Sequence, residues 1–229
     1  MLESGDGLVF RTRPLTESSL IVRWLTLEHG LISTVAKGAR RNESPFRGKL
    51  DLGYRCRLSF VRSRRSDLHT LREAVVSETH DGIRHDYDRL AAYGYAVRLL
   101  EALLELETPV PSVFEITLSF LGVIGDAPDA AQLTLFYELK LLEDQGLWDP
   151  DFAATMSPGA SAACGFALGH PLQELASLRL DAGQSAELHG RILRAWEAHL
   201  GFVPKAHPLS TAARELNRAR MALPPIGPS

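Results

Sequence analysis

Lysine and arginine side chains are concentrated between residues 37 and 72, where eleven of them stand against three acidic residues. The stretch 37–49 alone carries Lys37, Arg40, Arg41, Arg47 and Lys49, with Phe46 among them. Guanidinium and ammonium groups at this density are suited to phosphates, and an aromatic ring on the same loop could stack on a base. The alternative interpretation is a solvated surface loop without a ligand.

Short β-prone runs separated by turns must position these cations. The fourth run alternates, with Tyr54, Cys56, Leu58 and Phe60 on one face, and Arg55 and Arg57 on the other. Arg64 and Arg65 lie in the turn before the fifth run. Five such runs in about 75 residues predict a small barrel of the OB type, although an SH3-like barrel fits the strand count nearly as well. The runs are 7–13, 20–26, 31–37, 51–62 and 68–76.

Helical periodicity replaces the β pattern after about residue 78. We therefore predict a barrel domain over 1–78 and a helical domain over 79–229, with an irregular segment at 147–171 that is rich in Pro, Gly, Ala and Ser. Ser112 and Asp129 are the expected caps of the second and third helices. The expected helices run from Asp86 to before Pro109, over 112–125, 129–146, 185–200 and 210–221, followed by a proline-containing tail.

The charge of the chain is divided between its two parts. Residues 1–76 hold 14 Lys and Arg against 8 Asp and Glu, a net charge of +6, whereas the rest holds 11 against 20, a net charge of −9. A basic module beside an acidic one indicates that the first part binds a polyanion.

Motifs of enzymes and of membrane proteins are missing from the sequence. It contains no phosphate loop, dinucleotide fingerprint, nucleophile elbow or His-Glu-x-x-His zinc motif. Its two cysteines lie far apart, and no apolar run approaches the roughly 20 residues needed to cross a bilayer. We therefore expect a cytoplasmic protein that is not an enzyme and that has no cofactor, metal or membrane partner.

Three segments of the N-terminal part are similar to the signature of the bacterial RecO family, the recombination mediators. They are Arg-Pro-Leu-Thr-Glu-Ser-Ser-Leu-Ile-Val at 13–22, Gly-Leu-Ile-Ser-Thr-Val-Ala-Lys-Gly-Ala-Arg-Arg at 30–41, and Gly-Lys-Leu at 48–50. The resemblance implies an α+β protein: a five-stranded OB-fold barrel, then an all-α helical domain.

The resemblance also implies a function in DNA repair and recombination. Family members bind single- and double-stranded DNA, anneal complementary strands, and help to load RecA in the RecFOR pathway of gap and double-strand-break repair. Their partners are RecR and the C-terminal tail of single-stranded-DNA-binding protein, and their place is the bacterial cytoplasm, at the nucleoid during repair. The alternative is a general OB-type RNA- or tRNA-binding module with a helical interaction domain.

Site residues follow from the resemblance and from the charge pattern together. Many members of the family carry a four-cysteine zinc motif. Ser161-Ala-Ala-Cys164 resembles its remnant, which implies the zinc-free branch. For the acidic tail we expect an apolar groove with a cation at its rim, formed by Phe136, Leu139 and Lys140. The expected DNA contacts are Lys37, Arg40, Arg41, Arg47, Lys49, Arg55, Arg57, Arg64 and Arg65.

Overall fold

The computed structural model describes residues 1–149, 151, 155–202 and 205–209. All five predicted β runs form strands, each with an apolar inner face that drives it into a common core. These strands are β1 (Leu2–Pro14), β2 (Leu20–Thr26), β3 (Gly30–Ala36), β4 (Arg55–Val61) and β5 (Leu68–Glu78).

The strands close into a barrel in the order β1-β2-β3-β5-β4. β5 inserts between β3 and β4: it runs parallel to β3, with Ser33 beside Leu68, and antiparallel to β4. β1 is long enough to pair with both β2 and β4, because its register shifts between Val9 and Arg11 and the strand bends there. This is the Greek-key arrangement of an OB-type barrel, so the predicted fold class is confirmed.

The barrel core is built from the alternating side chains that the sequence indicated. Cys56, Leu58 and Phe60 of β4 are at most 1% exposed. Trp24 is also buried, and its indole Nε1 donates a hydrogen bond of 2.8 Å to the Thr34 hydroxyl. Satisfying this polar atom lets the large ring stay in the core without the cost of an unpaired donor.

Two compact units make up the described chain. The first contains Met1–His85 and Leu100–Gly125, and the second contains Asp86–Leu99 and the described residues from Asp126 onward. Helix α1 (Tyr87–Leu103) lies within the predicted first helix and contributes residues to both units. The domain boundary at residue 78 stays a prediction, although β5 does end at Glu78.

Helix α2 (Pro111–Ile124) belongs to the first unit and begins differently from the prediction. Ser112 does not cap it; Val110 occupies the cap position without a side-chain hydrogen bond, and Pro111 opens the helix. Proline fits there because the first amide of a helix has no partner within the helix. The end of α2 lies against a 3₁₀ turn (Asp81–His85), where Gly82 and Gly125 meet so closely that neither has space for a Cβ atom.

The second unit is helical. Asp129 caps α3 (Ala130–Asp144) as predicted by accepting a hydrogen bond from the Gln132 amide, and Asp181 and Gln184 form a reciprocal capping box at the start of α6 (Ala182–Leu200). None of the described helices has the length and hydrophobicity that a membrane-spanning segment requires. The helices are α3 (Ala130–Asp144), α4 (Pro158–Gly169), α5 (Leu172–Leu175) and α6 (Ala182–Leu200).

The prediction of an irregular segment at 147–171 is wrong over 158–169, which form α4. Ser157 caps this helix by accepting a hydrogen bond from the Ala160 amide, and Pro158 opens it. The same Ser and Pro that resemble loop composition are therefore helix-start signals here. The predicted helix over 210–221 and the tail that follows it lie outside the described residues.

A buried carboxylate organises the second unit. Glu138 is 0% exposed, and its Oε1 accepts hydrogen bonds from the Tyr95 hydroxyl at 2.5 Å and the Trp196 indole at 3.1 Å. Its Oε2 lies 2.7 Å from His207 Nε2. Because His207 Nδ1 accepts the Leu209 amide, the ring proton lies on Nε2 and is donated to Glu138. One carboxylate thus joins three segments that are distant in sequence.

We predict that Glu138→Leu lowers the free energy of unfolding by about 3 kcal/mol or more, because three buried donors lose their acceptor at once. Urea unfolding followed by tryptophan fluorescence measures this. The matched control is Glu143→Leu on the same helix, where the carboxylate is 48% exposed and the loss should stay below about 1 kcal/mol. Equal effects of the two substitutions would contradict the role assigned to Glu138.

Candidate nucleic-acid interface

The chain leaves β3 as a series of tight turns that carry the basic stretch 37–49, here called the basic loop. Gly38 adopts a φ of +70°, and three further turns close through i to i+3 hydrogen bonds between backbone groups. The Arg40 amide donates to the Ser18 carbonyl at 3.0 Å, which ties the loop to the connection between β1 and β2. Backbone hydrogen bonds therefore hold the loop in a defined course.

Phe46 is not a stacking platform on the surface of the basic loop. Its side chain is 6% exposed and belongs to the barrel core with Ile32, Phe60 and Leu71. The expectation that Phe46 stacks on bases is therefore wrong, because burying the ring in the core gains more than leaving it in water. The ring instead anchors the middle of the loop to the barrel.

The cations of the basic loop remain at the surface. Lys37, Arg40, Arg41 and Arg47 are exposed, and Lys49 is partly exposed. None of the five pairs with an acidic side chain among the residues that the structure describes. Lys37 and Arg41 line a depression of about 470 Å³, and Glu43 is the single acidic residue in its lining, which also includes Pro45. Two cations that face one concave surface without acidic partners are suited to a phosphate.

Two arginines of the loop also have structural contacts. Arg40 donates from Nη1 to the Thr16 carbonyl at 3.3 Å, and Arg47 donates from Nη1 to the Asn42 carbonyl at 3.1 Å. Both bonds go to backbone oxygens, so they orient the guanidinium groups without neutralising them.

Arg55 and Arg57 share the outer face of β4 but differ in their partners. The Arg55 guanidinium donates to both carboxylate oxygens of Asp6 and to Glu78, and the hydrogen bonds with Asp6 are the main reason that its pKa is raised. The ion pairs of Arg55 thus link β4 to β1, through Asp6, and to β5, through Glu78. Arg57 is exposed and has no ion pair in the described part of the chain.

Arg72 belongs with the basic loop, although it was not among the predicted site residues. The register of β4 and β5 shifts between Ser59 and Phe60, so that Arg72 and Glu73 are both exposed next to the buried Leu71. A β-bulge of this kind redirects a side chain out of the regular alternation. Arg72 and Lys49 line the same surface pocket. The signal in the sequence was the broken alternation after Leu71.

Arg64 and Arg65 are exposed in the turn between β4 and β5, apart from the basic loop. Ser33 pairs in parallel with Leu68, so the turn that precedes Leu68 lies toward the first residues of β3. The basic loop leaves from the last residue of β3. Arg64 and Arg65 and the cations of the basic loop therefore form two groups, one toward each end of this strand.

Comparison with known proteins identifies the family. The family model described as the N-terminal part of recombination protein O matches residues 1–80, and the model of its C-terminal part matches residues 84–154. The DNA repair protein RecO of Anaeromyxobacter dehalogenans is 31% identical over 185 residues, which cover 80% of this chain and 68% of that protein. The chain belongs to the RecO family.

Other relatives named DNA repair protein RecO match shorter stretches. The protein of Rhodopirellula baltica is 34% identical over 136 residues, which cover 59% of this chain and 50% of the relative. A Listeria monocytogenes protein is 32% identical over 169 residues, which cover 74% of this chain and 63% of the relative. The chain therefore spans between half and about two thirds of the length of these two RecO proteins.

The predicted groove for a partner of RecO proteins receives no support from the structure. Phe136 and Leu139 are both 0% exposed inside the second unit. The Lys140 ammonium donates to the Leu168 carbonyl and lies 3.6 Å from Glu143. The assignment stays a prediction, and the burial of both apolar side chains argues against it.

The region that resembles a RecO zinc motif is helical. Cys164 is buried on α4, and burial raises the pKa of its thiol to about 11. His170 stacks on Phe166 with 3.8 Å between ring centroids and bonds to its carbonyl oxygen. Within the described ranges, no group of three His, Cys, Asp or Glu side chains is arranged to hold a metal ion.

A further ion-pair network stands where β4 ends. Arg62 donates from Nε to Glu3 at 2.8 Å and from Nη1 to Glu107. The hydrogen bond from Arg62 is the main reason that the pKa of Glu3 lies below its ordinary value of 4.5, against the opposing effect of burial. Arg62 therefore holds the start of β1 in place and is occupied by carboxylates, like Arg55.

We predict that Phe46→Ala lowers the free energy of unfolding by about 3 kcal/mol, as expected for a buried aromatic ring, while Phe46→Leu costs about 1 kcal/mol. Urea unfolding of both variants measures the difference. If Phe46 instead stacked on bases at the surface, Phe46→Ala would leave the stability unchanged and weaken DNA binding alone.

The ion pair of Glu3 predicts a pH-dependent stability. Because the folded pKa of Glu3 is depressed, its contribution is present above the ordinary value of 4.5 and is lost as pH falls through the folded pKa. Wild type should therefore exceed Glu3→Gln in unfolding free energy at neutral pH, and the difference should shrink in acid. In an Arg62→Met background, Glu3→Gln should lower the free energy of unfolding by less than it does in wild type, and this loss should hardly depend on pH. An equal loss in the two backgrounds would contradict the assignment of Arg62 as the cause.

Proposed function

We propose that this RecO-family protein binds single- and double-stranded DNA through the basic loop and anneals complementary strands as a recombination mediator. The observation that carries the proposal is the group of loop cations that are exposed without acidic partners among the described residues. A surface that keeps its cations free for a polyanion fits a DNA-binding protein and does not require catalysis.

Annealing follows from contacts that go to phosphates. Phosphate contacts hold a strand without depending on its sequence, and they leave base edges free to pair with a second strand. Cations also screen the repulsion between two approaching strands. The two groups of cations at the ends of β3 give the barrel room for more than one segment of DNA.

The proposed partners follow from the family. We propose that the protein acts with RecR and with the acidic C-terminal tail of single-stranded-DNA-binding protein to load RecA in gap and double-strand-break repair. We also propose that it belongs to a zinc-free branch, because Ser161 stands where the resemblance places a cysteine.

The double variant Lys37→Ala/Arg41→Ala tests the DNA-binding surface. We predict that it binds a labelled single strand about tenfold more weakly than wild type at moderate salt, because two phosphate contacts are lost. The slope of log affinity against log salt should fall in magnitude by about 1.4, at about 0.7 for each contact. Fluorescence anisotropy over a series of salt concentrations gives both quantities.

The matched control removes the same charge elsewhere. Arg179 and Arg194 are exposed in the second unit, and neither has an ion pair among the described residues. Arg179→Ala/Arg194→Ala should leave both the affinity and the salt slope near their wild-type values. Equal losses in the two double variants would show that net charge, and not the basic loop, determines binding.

A further inference from the structure

A pocket of about 520 Å³ opens between the basic loop and the outer face of β4 and β5. Two of its lining residues, Phe46 and Ala74, are 6% and 1% exposed, so they form its deep part. Leu2 is 63% exposed and forms an apolar wall nearer to the solvent. The pocket thus offers an apolar wall, formed by Leu2 and the exposed Pro45, above a floor that the buried Phe46 and Ala74 close.

Charged and polar groups surround this apolar surface. Lys49 and Arg72 line the pocket, and neither pairs with an acidic side chain in the described ranges. Glu73 lines it as well and supplies a carboxylate acceptor, and Ser59 contributes a small side chain to the wall. A ligand that fits must therefore combine a flat apolar body, polar edges and a nearby negative charge.

We propose that this pocket receives one unpaired base of a DNA strand whose phosphates lie on Lys49 and Arg72. The inference rests on the proposed DNA-binding function and names the ligand of one part of that surface. A nucleobase has apolar faces that pack on apolar side chains such as Leu2 and Pro45, and the phosphates of its strand match the two cations. The Glu73 carboxylate would accept a hydrogen bond from the exocyclic amine of cytosine or adenine, which thymine lacks.

The position of the pocket on the barrel agrees with a continuous strand. Pro45 lines both this pocket and the depression that contains Lys37 and Arg41. A strand that places phosphates on Lys37 and Arg41 can therefore continue to Lys49 and insert a base beside Leu2. A base in a duplex would first have to leave its stack, which costs energy, so the pocket favours single strands.

The experiment compares an intact single strand with a strand of equal length that lacks bases at its central positions. We expect wild type to bind the abasic strand about five- to tenfold more weakly, since the stacking contribution is lost. Ser59→Phe fills the pocket from the exposed face of β4, so it should bind both strands equally, at the level of wild type with the abasic strand. Ser59→Ala leaves the pocket open and should discriminate like wild type.

A second variant tests the acceptor without filling the pocket. Wild type should prefer oligodeoxycytidine to oligodeoxythymidine by several-fold, and Glu73→Leu, which removes the acceptor, should abolish that preference. Duplex affinity should remain unchanged in Ser59→Phe, and urea unfolding midpoints near that of wild type show that both variants are folded.

Two results separate the failure of this inference from the failure of the proposed function. If wild type binds the intact and abasic strands equally, the pocket holds no base, and the inference is overturned while DNA binding stands. If wild type binds neither strand nor the duplex, both are overturned. Retained discrimination in Ser59→Phe would also overturn the pocket assignment.

Discussion

The burial of Phe46 in the barrel core is the contact on which the arrangement of the cations depends. The connection from residue 37 to residue 54 is long and polar, and a segment of this kind buries few apolar groups that could fix its conformation. One aromatic ring in the core, supported by partly buried Ala39, Leu50 and Tyr54, fixes its course over the barrel. Cations on an ordered segment lose less conformational freedom when they bind, so more of their interaction with phosphate appears as affinity.

The structure also shows why the number of cations in the sequence overstates the binding surface. Arg55 and Arg62 each hold carboxylates from distant strands or loops, and these ion pairs help to close the barrel. An arginine that already has two acidic partners gains little by exchanging them for a phosphate. The exposed cations of the basic loop, Arg57 and Arg72 have no such partners among the described residues. The candidate DNA-binding surface is therefore smaller than the full set of basic residues in the barrel.

Periodicity made the strands predictable, whereas contacts between distant residues were not. The alternating side chains of β4 indicated both the strand and its inner face, because burial of one face has a period of two. The partner of Arg55, Asp6, lies 49 positions away, and no local pattern connects the two. Phe46 is an isolated ring in a polar segment, without a repeat that could reveal its burial. Helix α4 was missed because its Ser-Pro start and small residues also match the composition of a loop.

The position of β5 between β3 and β4 has a consequence for synthesis of the protein. Until residues 68–78 have left the ribosome, β3 and β4 each present an edge of unpaired backbone amides and carbonyls, and the barrel cannot close. The last strand completes both edges: its partner β4 directly precedes it, whereas its partner β3 lies far back in the chain. During this interval the unpaired edges expose the nascent polypeptide to aggregation. Because β5 must also pair with the distant β3, we expect the barrel to fold slowly.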